Sequence, residues 1–149
     1  MTEVTIIIPN YNGKKLLENC IKTLERQTCQ EFKLLVIDNG SKDGSTDVTS
    51  ESLYMEMVAL PENTGFCGAV NLGFEMTTTP YAILLNNDTE AEPHFVEELL
   101  KGIRQSERNF PNIARECENR FFSLHAPPQP TKRAANRHRR SAREKKRLA

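Results

Sequence analysis

Four short polar clusters recur in the first part of the chain, each directly behind an apolar run. They are Pro9-Asn10-Tyr11-Asn12, Asp38-Asn39-Gly40-Ser41-Lys42-Asp43-Gly44, Glu62-Asn63-Thr64-Gly65 and Asn86-Asn87-Asp88-Thr89. Carboxylates and carboxamides can bind hydroxyl and imide groups, and glycine lets backbone come close to a ligand. Asn86-Asn87-Asp88-Thr89 holds a single carboxylate. That is thin for a phosphatase built on paired aspartates. It is enough for a Mg2+ or Mn2+ ion whose shell is completed by substrate phosphate oxygens and water. One such cluster would be ordinary turn chemistry. Four of them on one edge of a sheet would be a binding surface.

The elements that must position these clusters read as four strand–helix units. Val4–Ile8 is a β-branched run closed by Pro9, the kind of continuous apolar run that suits a strand buried on both faces. Leu16, Leu17, Cys20, Ile21 and Leu24 then fall on one helical face, with Lys14, Lys15, Glu18, Lys22 and Glu25 opposite. Lys33–Ile37 is the second expected strand, followed by a short, weak helix from Ser45 to about Leu53. Met55–Leu60 is the third strand and stops at Pro61. Gly65 to about Met76 is a helix whose Phe66, Val70 and Gly73 share a side, and Tyr81–Leu85 is the fourth strand. The last helix opens with Pro93 in its first turn, with Phe95, Val96, Leu99, Leu100 and Ile103 on its apolar face. This alternation predicts an α/β fold: a Rossmann-like, mostly parallel sheet with helices on both faces. Ligands of such sheets bind outside the carboxyl ends of the strands, where all four polar clusters fall.

Composition divides the chain at the same place. Residues 1–103 hold 7 basic and 16 acidic side chains, and residues 104–149 hold 13 basic and 4 acidic. The whole chain is therefore neutral only by cancellation. Residues 127–149 carry 9 Lys or Arg, one Glu and a Pro-Pro-Gln-Pro opening, the composition of a disordered basic tail. No apolar run approaches the roughly 18 residues needed to span a bilayer. The opening residues have neither the basic leader nor the apolar stretch of a secretory signal. Cys20, Cys29, Cys67 and Cys117 form no CxxC pair, which disfavours a zinc site or a disulfide framework. The chain has no GxGxxG after its first strand and no GxxxxGK[ST], so neither the usual dinucleotide fold nor a P-loop is expected.

Taken in order, four segments carry a resemblance. They are Val4-Thr5-Ile6-Ile7-Ile8-Pro9-Asn10-Tyr11-Asn12, Val36-Ile37-Asp38-Asn39-Gly40-Ser41-x-Asp43-Gly44-Ser45, Asn63-x-Gly65-Phe66-x-Gly68-x-x-Asn71 and Leu84-Leu85-Asn86-Asn87-Asp88-Thr89. Each is weak alone; the ordered set resembles the nucleotide-binding half of the family-2 glycosyltransferases with the GT-A fold, particularly the rhamnosyltransferase-like branch. The resemblance covers roughly residues 3–103. It implies that Pro9 and Tyr11 pack around the nucleobase and ribose and that Asp38 accepts a hydrogen bond from the base. It also implies that Asn86, Asn87 and Asp88 stand at the family's D-x-D motif, with the first position reaching the ribose and Asp88 binding the metal, Mg2+ or Mn2+, on the diphosphate. Position 86 departs from the family by being Asn, which leaves metal binding to Asp88 alone. The Asn63–Asn71 stretch is expected to be structural, with Gly65 and Gly68 allowing a close helix approach.

The implied partners are a nucleotide-diphosphate sugar of uridine or thymidine type and, for the intact family, a glycan or lipid-linked acceptor. The implied reaction is inverting sugar transfer. Nothing after Ile103 resembles the acceptor and catalytic-base half, and Glu107, Glu116, Glu118, His94, His125 and His138 sit in no motif. The expectation is a truncated GT-A domain over 1–103 and an irregular, basic tail over 104–149, left by an interrupted or frameshifted reading frame and inactive in transfer. A non-catalytic nucleotide-binding remnant is the alternative. Nucleic-acid binding through Lys132–Arg147 is a weaker one; no specific nucleic acid is expected, because the patch lacks aromatic residues. The expected location is cytoplasmic, peripheral to the inner face of the membrane.

Overall fold

The β-branched run at the start of the chain becomes the strand that every other strand is built around. In the computed structural model, which describes residues 2–109, β1 (Val4–Asn10) is buried along its whole length. It pairs in parallel with β2 (Phe32–Asp38) on one side and β4 (Tyr81–Leu84) on the other. β3 (Met55–Ala59) adds in parallel outside β2, giving the order β3-β2-β1-β4. The register sets Val4 beside Phe32 and Tyr81 at one end and Asn10 beside Asp38 at the other. The α/β fold with a parallel sheet is as the strand–helix alternation predicts.

Alternation along β1 divides the core between the two faces of the sheet. Val4, Ile6 and Ile8, with Leu34 and Val36, pack with Leu17, Cys20, Ile21 and Leu24 of α1 (Lys14–Glu25) and with Val96 and Leu100 of α3 (Phe95–Asn109). Ile7, Leu35 and Ile37 form the other cluster, with Ala69 of α2 (Gly65–Met76). Helices therefore cover both faces. α2 lies close: a Cβ on Gly73 would stand 2.4 Å from Ile7 Cγ2, so the absence of a side chain there sets the helix-to-sheet distance. The close approach falls to Gly73 rather than to Gly65, whose Cα faces open space, or to Gly68, whose neighbour is Thr64.

Three local expectations are corrected. The helix expected from Ser45 to Leu53 is a single 3-10 turn, Ser45–Asp47. Its polar side chains hold backbone amides locally instead of continuing the helix, Asp43 accepting from the Ser45 amide and Ser50 Oγ from the Leu53 amide. Regular α3 begins at Phe95, after a turn through Pro93 in which the Phe95 amide bonds the Glu92 carbonyl. Leu16, Phe66 and Leu99 leave the apolar faces assigned to them and are exposed.

Contacts divide the chain after Gly102, and of the second unit, residues 103–149, only the end of α3 is described. The irregular tail expected from 104 begins later, since α3 continues to Asn109; the rest of it, with Cys117, Glu116, Glu118, His125, His138 and the Lys132–Arg147 patch, lies outside the described residues, as does the Glu107 side chain. No helix among the described residues is long and apolar enough to cross a membrane.

Candidate functional site

The strand order places β2 and β3 on one side of β1 and β4 on the other. The direction in which strands are added reverses between β1 and β4, and a crevice opens there at the carboxyl ends. A cavity of about 510 Å3 occupies this position. Its lining comes from the ends of β1 and β2, the start of α2 and the loop after β4, and includes Pro9, Tyr11, Asn39, Phe66, Asn86 and Asp88.

One carboxamide ties three of these loops together. Asn10, 2% exposed, donates through Nδ2 to Asp38 Oδ1 at 2.9 Å and accepts through Oδ1 from Asn87 Nδ2 at 2.7 Å. Asp38 is fully buried, and its other oxygen accepts from the Ser41 amide at 2.9 Å. Ser41 Oγ accepts in turn from the Asn12 amide at 2.8 Å, and Asn12 Oδ1 accepts from the Lys42 amide at 2.8 Å. The loops after β1 and β2 are thus laced to each other. Further along, Asp43 accepts from the Ser45 hydroxyl and from the Lys14 amide, and these two bonds, in that order, hold its carboxyl below the usual range.

Asn39 does the same for the opposite wall. Its Nδ2 donates to Asn63 Oδ1 and to the Gly65 carbonyl, both at 3.0 Å, and its Oδ1 accepts from the Thr64 amide at 2.8 Å. This fixes the entry to α2, where Gly65 turns with φ +80° and delivers Phe66 outward. Tyr11 is 51% exposed and Phe66 57% exposed, both on the cavity. An apolar ring that the fold leaves half in water is available to a planar ligand.

Five of the six residues proposed from sequence line this cavity: Pro9, Tyr11, Asn86, Asn87 and Asp88. Asp38 stands behind the wall with both oxygens engaged, and is not among the lining residues. Asn10, Asn39 and Phe66 were not singled out. Asn10 is the last residue of β1 and Asn39 directly follows the last residue of β2, a placement that could have flagged them. Phe66 was absorbed into an apolar helix face because spacing alone cannot tell the first turn of a helix from its middle. His94 is occupied elsewhere, near Thr28 and Glu97.

Among the described residues the lining contains one carboxylate, Asp88, and no Lys or Arg. Among the described residues no cluster of three or more His, Cys, Asp or Glu could hold a metal unaided. Asp88 with the Asn86 carboxamide nevertheless offers the hard oxygen donors that Mg2+ or Mn2+ prefers, and phosphate oxygens could complete the shell. The donor set fits a cation that shares its coordination with a ligand. Beneath this loop Cys20 points its thiol at the Asn86 carbonyl, 3.8 Å away. Burial, and secondarily the Asp88 charge, pushes that thiol up to about 11, so it stays protonated at neutral pH.

The model of glycosyl transferase family 2 matches residues 5–147 of the chain. The chain belongs to that family. Relatives include the teichoic acid poly(glycerol phosphate) polymerase of Staphylococcus epidermidis, 30% identical over 95 residues, which are 60% of this chain and 13% of that protein. Glycosyltransferase GlyA of Streptococcus pneumoniae serotype 4 is 30% identical over 104 residues, 68% of this chain and 15% of that protein. The chain therefore spans less than a sixth of the length of these two relatives. Among solved structures, S. aureus TarS 1–349 superposes with a TM-score of 0.66 at 18% identity, over 70% of this chain and 33% of that one. TarS 1–349 has also been solved with UDP and with UDP-GlcNAc. These structural likenesses establish the fold as GT-A. The family match also runs past Ile103, where the resemblance read from motifs stops.

Proposed function

We propose that this chain forms the donor site of a glycosyltransferase, binding a nucleotide-diphosphate sugar of uridine or thymidine type. The observation that carries the reading is the cavity at the β1/β4 switch point, which combines two exposed aromatic rings with one carboxylate. Tyr11 and Phe66 offer faces to the base, and Pro9 and Asn86 wall the sugar side of the nucleoside. Asp88 would hold Mg2+ or Mn2+, which would supply positive charge for the diphosphate. Charge favours such an ion: a diphosphate here meets no Lys or Arg among the described lining residues and would be repelled by Asp88 alone. When bound, the cation neutralises the leaving diphosphate. Asp38 serves indirectly, by fixing Asn10 and the Ser41 turn that shape the wall. The ordered motifs support placement in the rhamnosyltransferase-like branch.

For the reaction we infer displacement of the nucleotide diphosphate by an acceptor hydroxyl on a glycan or lipid-linked molecule, with inversion at the anomeric carbon. We also propose a cytoplasmic location, at the inner membrane face where the acceptor is lipid-linked, because nucleotide sugars are held in the cytoplasm. Transfer further needs a base within hydrogen-bond reach of the acceptor hydroxyl. Asp88 is the sole carboxylate among the described lining residues, and a carboxylate holding a cation is a poor proton acceptor. We therefore infer that the 149-residue chain assayed alone binds donor without transferring its sugar.

Titration calorimetry with UDP and with dTDP, with and without Mn2+, tests the proposal. Mn2+ should tighten binding several-fold, and Asp88→Ala should erase that gain. Absence of binding in either condition overturns the donor-site reading, and equal affinity in both removes the metal role. Glycosyl product formed by this chain and lost in Asp88→Ala would refute the inference of binding without transfer.

A further inference from the structure

Asn10 is held from three directions inside the wall of the cavity. It donates to Asp38 on β2 and accepts from Asn87 in the loop after β4, while Ser41 Oγ lies 3.4 Å from the same Nδ2. A carboxamide donates through its nitrogen to the carboxylate and accepts through its oxygen from the neighbouring amide, with no charge of its own. The space around the pair is also closed. A Cβ on Gly13 would stand 2.4 Å from Asn87 Nδ2 and 2.8 Å from Asn10 Oδ1, so any side chain at Gly13 would force the two carboxamides apart.

We propose that Asn10 is a positioning residue that couples the two ends of the donor site, setting the loop after β4 by the place of the loop after β2. The coupling rests on the donor-site reading above for its use, but not for its existence. Asn87 sits between Asn86 and Asp88, so the bond to Asn10 sets where the diphosphate end of the site stands. Asp38 and Ser41 set Asn10. A nucleoside diphosphate reaching from the aromatic rings to Asp88 needs both loops in place, and one carboxamide places both.

The decisive variant is Asn10→Asp. Protonated, the introduced acid keeps both contacts, its O–H donating to Asp38 and its carbonyl oxygen accepting from Asn87. Ionised, it has no proton to give and places a second negative charge at the 2.9 Å hydrogen-bond distance from Asp38. Two carboxylates this close hold one proton between them well above the usual value of about 4 for an aspartate. The charged residues of this hydrogen-bond network and of the loops it joins are Asp38 from β2, Lys42 and Asp43 from the loop after it, Lys14 from the start of α1 and Asp88 from the loop after β4. Lys14 and Lys42 engage this network through their backbone amides.

Two readouts decide the matter. In the ligand-free variant, followed by NMR from pH 4 to 8, the amides of Ser41 and of Asn87–Thr89 should shift with one shared midpoint that wild type lacks. UDP affinity in Mn2+ should be close to wild type at pH 5 and at least tenfold weaker at pH 8, each value taken relative to wild type at the same pH. A folded variant whose Asn87–Thr89 amides do not follow that midpoint, or whose affinity ratio is flat with pH, overturns the proposal. Gly13→Ala gives the second test: with its melting point kept, it should weaken UDP binding at least fivefold, and unchanged binding overturns the proposal as well. If wild type itself fails to bind UDP, the donor-site reading falls, while the shared NMR midpoint still decides the coupling.

Discussion

Phe66→Ala isolates the aromatic half of the proposed site from its ionic half. Phe66 is 57% exposed in the free protein, so the fold draws little stability from it. Alanine is the better helix former by several tenths of a kcal/mol, and the variant should melt at or slightly above the wild-type temperature. A base stacked on an aromatic ring is worth about 1–3 kcal/mol by alanine substitution. At about 1.4 kcal/mol per tenfold, UDP affinity should fall between roughly fivefold and a hundredfold. The assay is titration calorimetry with UDP in Mn2+, beside inorganic pyrophosphate in Mn2+, which has no base to stack. Pyrophosphate binding should not change. The chain contains no Trp, so Phe66→Trp supplies a single fluorophore whose emission should respond to UDP and not to pyrophosphate. UDP affinity within twofold of wild type in Phe66→Ala, with the fold intact, would refute the stacking role.

Gly73→Ala should be destabilising in urea unfolding. Its new Cβ meets Ile7 Cγ2 at 2.4 Å, an overpacking cost of about 1–3 kcal/mol against about 1 kcal/mol of helix propensity regained. Higher stability would mean that α2 is free to lift from the sheet. Glu97→Gln tests the surface network at the start of α3. Lys101 first, then Thr28 and His94, hold the Glu97 carboxyl down at about 2 from its usual 4.5. Because the folded value is the lower one, its small contribution exists above pH 4.5 and is lost as the pH falls toward 2. The gap in melting temperature between wild type and variant should therefore close over that interval, and a gap that persists at pH 2 would exclude the ionic cause.

The sheet was legible because its signals are strong and local. Val4–Ile8 and Lys33–Ile37 are uninterrupted apolar runs, and each ends in polar residues that cannot continue a buried strand. The same reasoning placed Pro9, Tyr11 and the Asn86–Asp88 loop on one edge, since in a parallel sheet all carboxyl ends share an edge. Side-chain direction was less legible. Phe66 obeys the helical spacing of a buried face yet turns outward, because Asn39 pins the Asn63–Gly65 entry and the first turn projects beyond the sheet. Asp38 was expected to face the ligand, but its register opposite Asn10 puts a carboxamide in front of it. Only the pairing of β1 with β2 reveals that, and pairing register is a tertiary fact.

Position 86 decides how the site handles charge. With Asp at both 86 and 88, two carboxylates would gather a divalent cation before any donor arrived. With Asn at 86 the loop offers one negative charge and one neutral oxygen, and in water one carboxylate holds such an ion weakly. A nucleoside diphosphate brings several phosphate oxygens of its own. On the proposed function the cation would be bound well only when donor and loop are both present, so that metal and nucleotide would arrive as one charged unit. Residues 1–103 carry 16 acidic and 7 basic side chains, and that excess repels a bare diphosphate while tolerating one that its cation has neutralised. In the proposed site the aromatic pair would read the uncharged end of the same molecule. If Asn10 couples the two loops as proposed, the wall behind the base and the loop that meets the cation move as one piece, and neither end of the donor would be well bound while the other is misplaced.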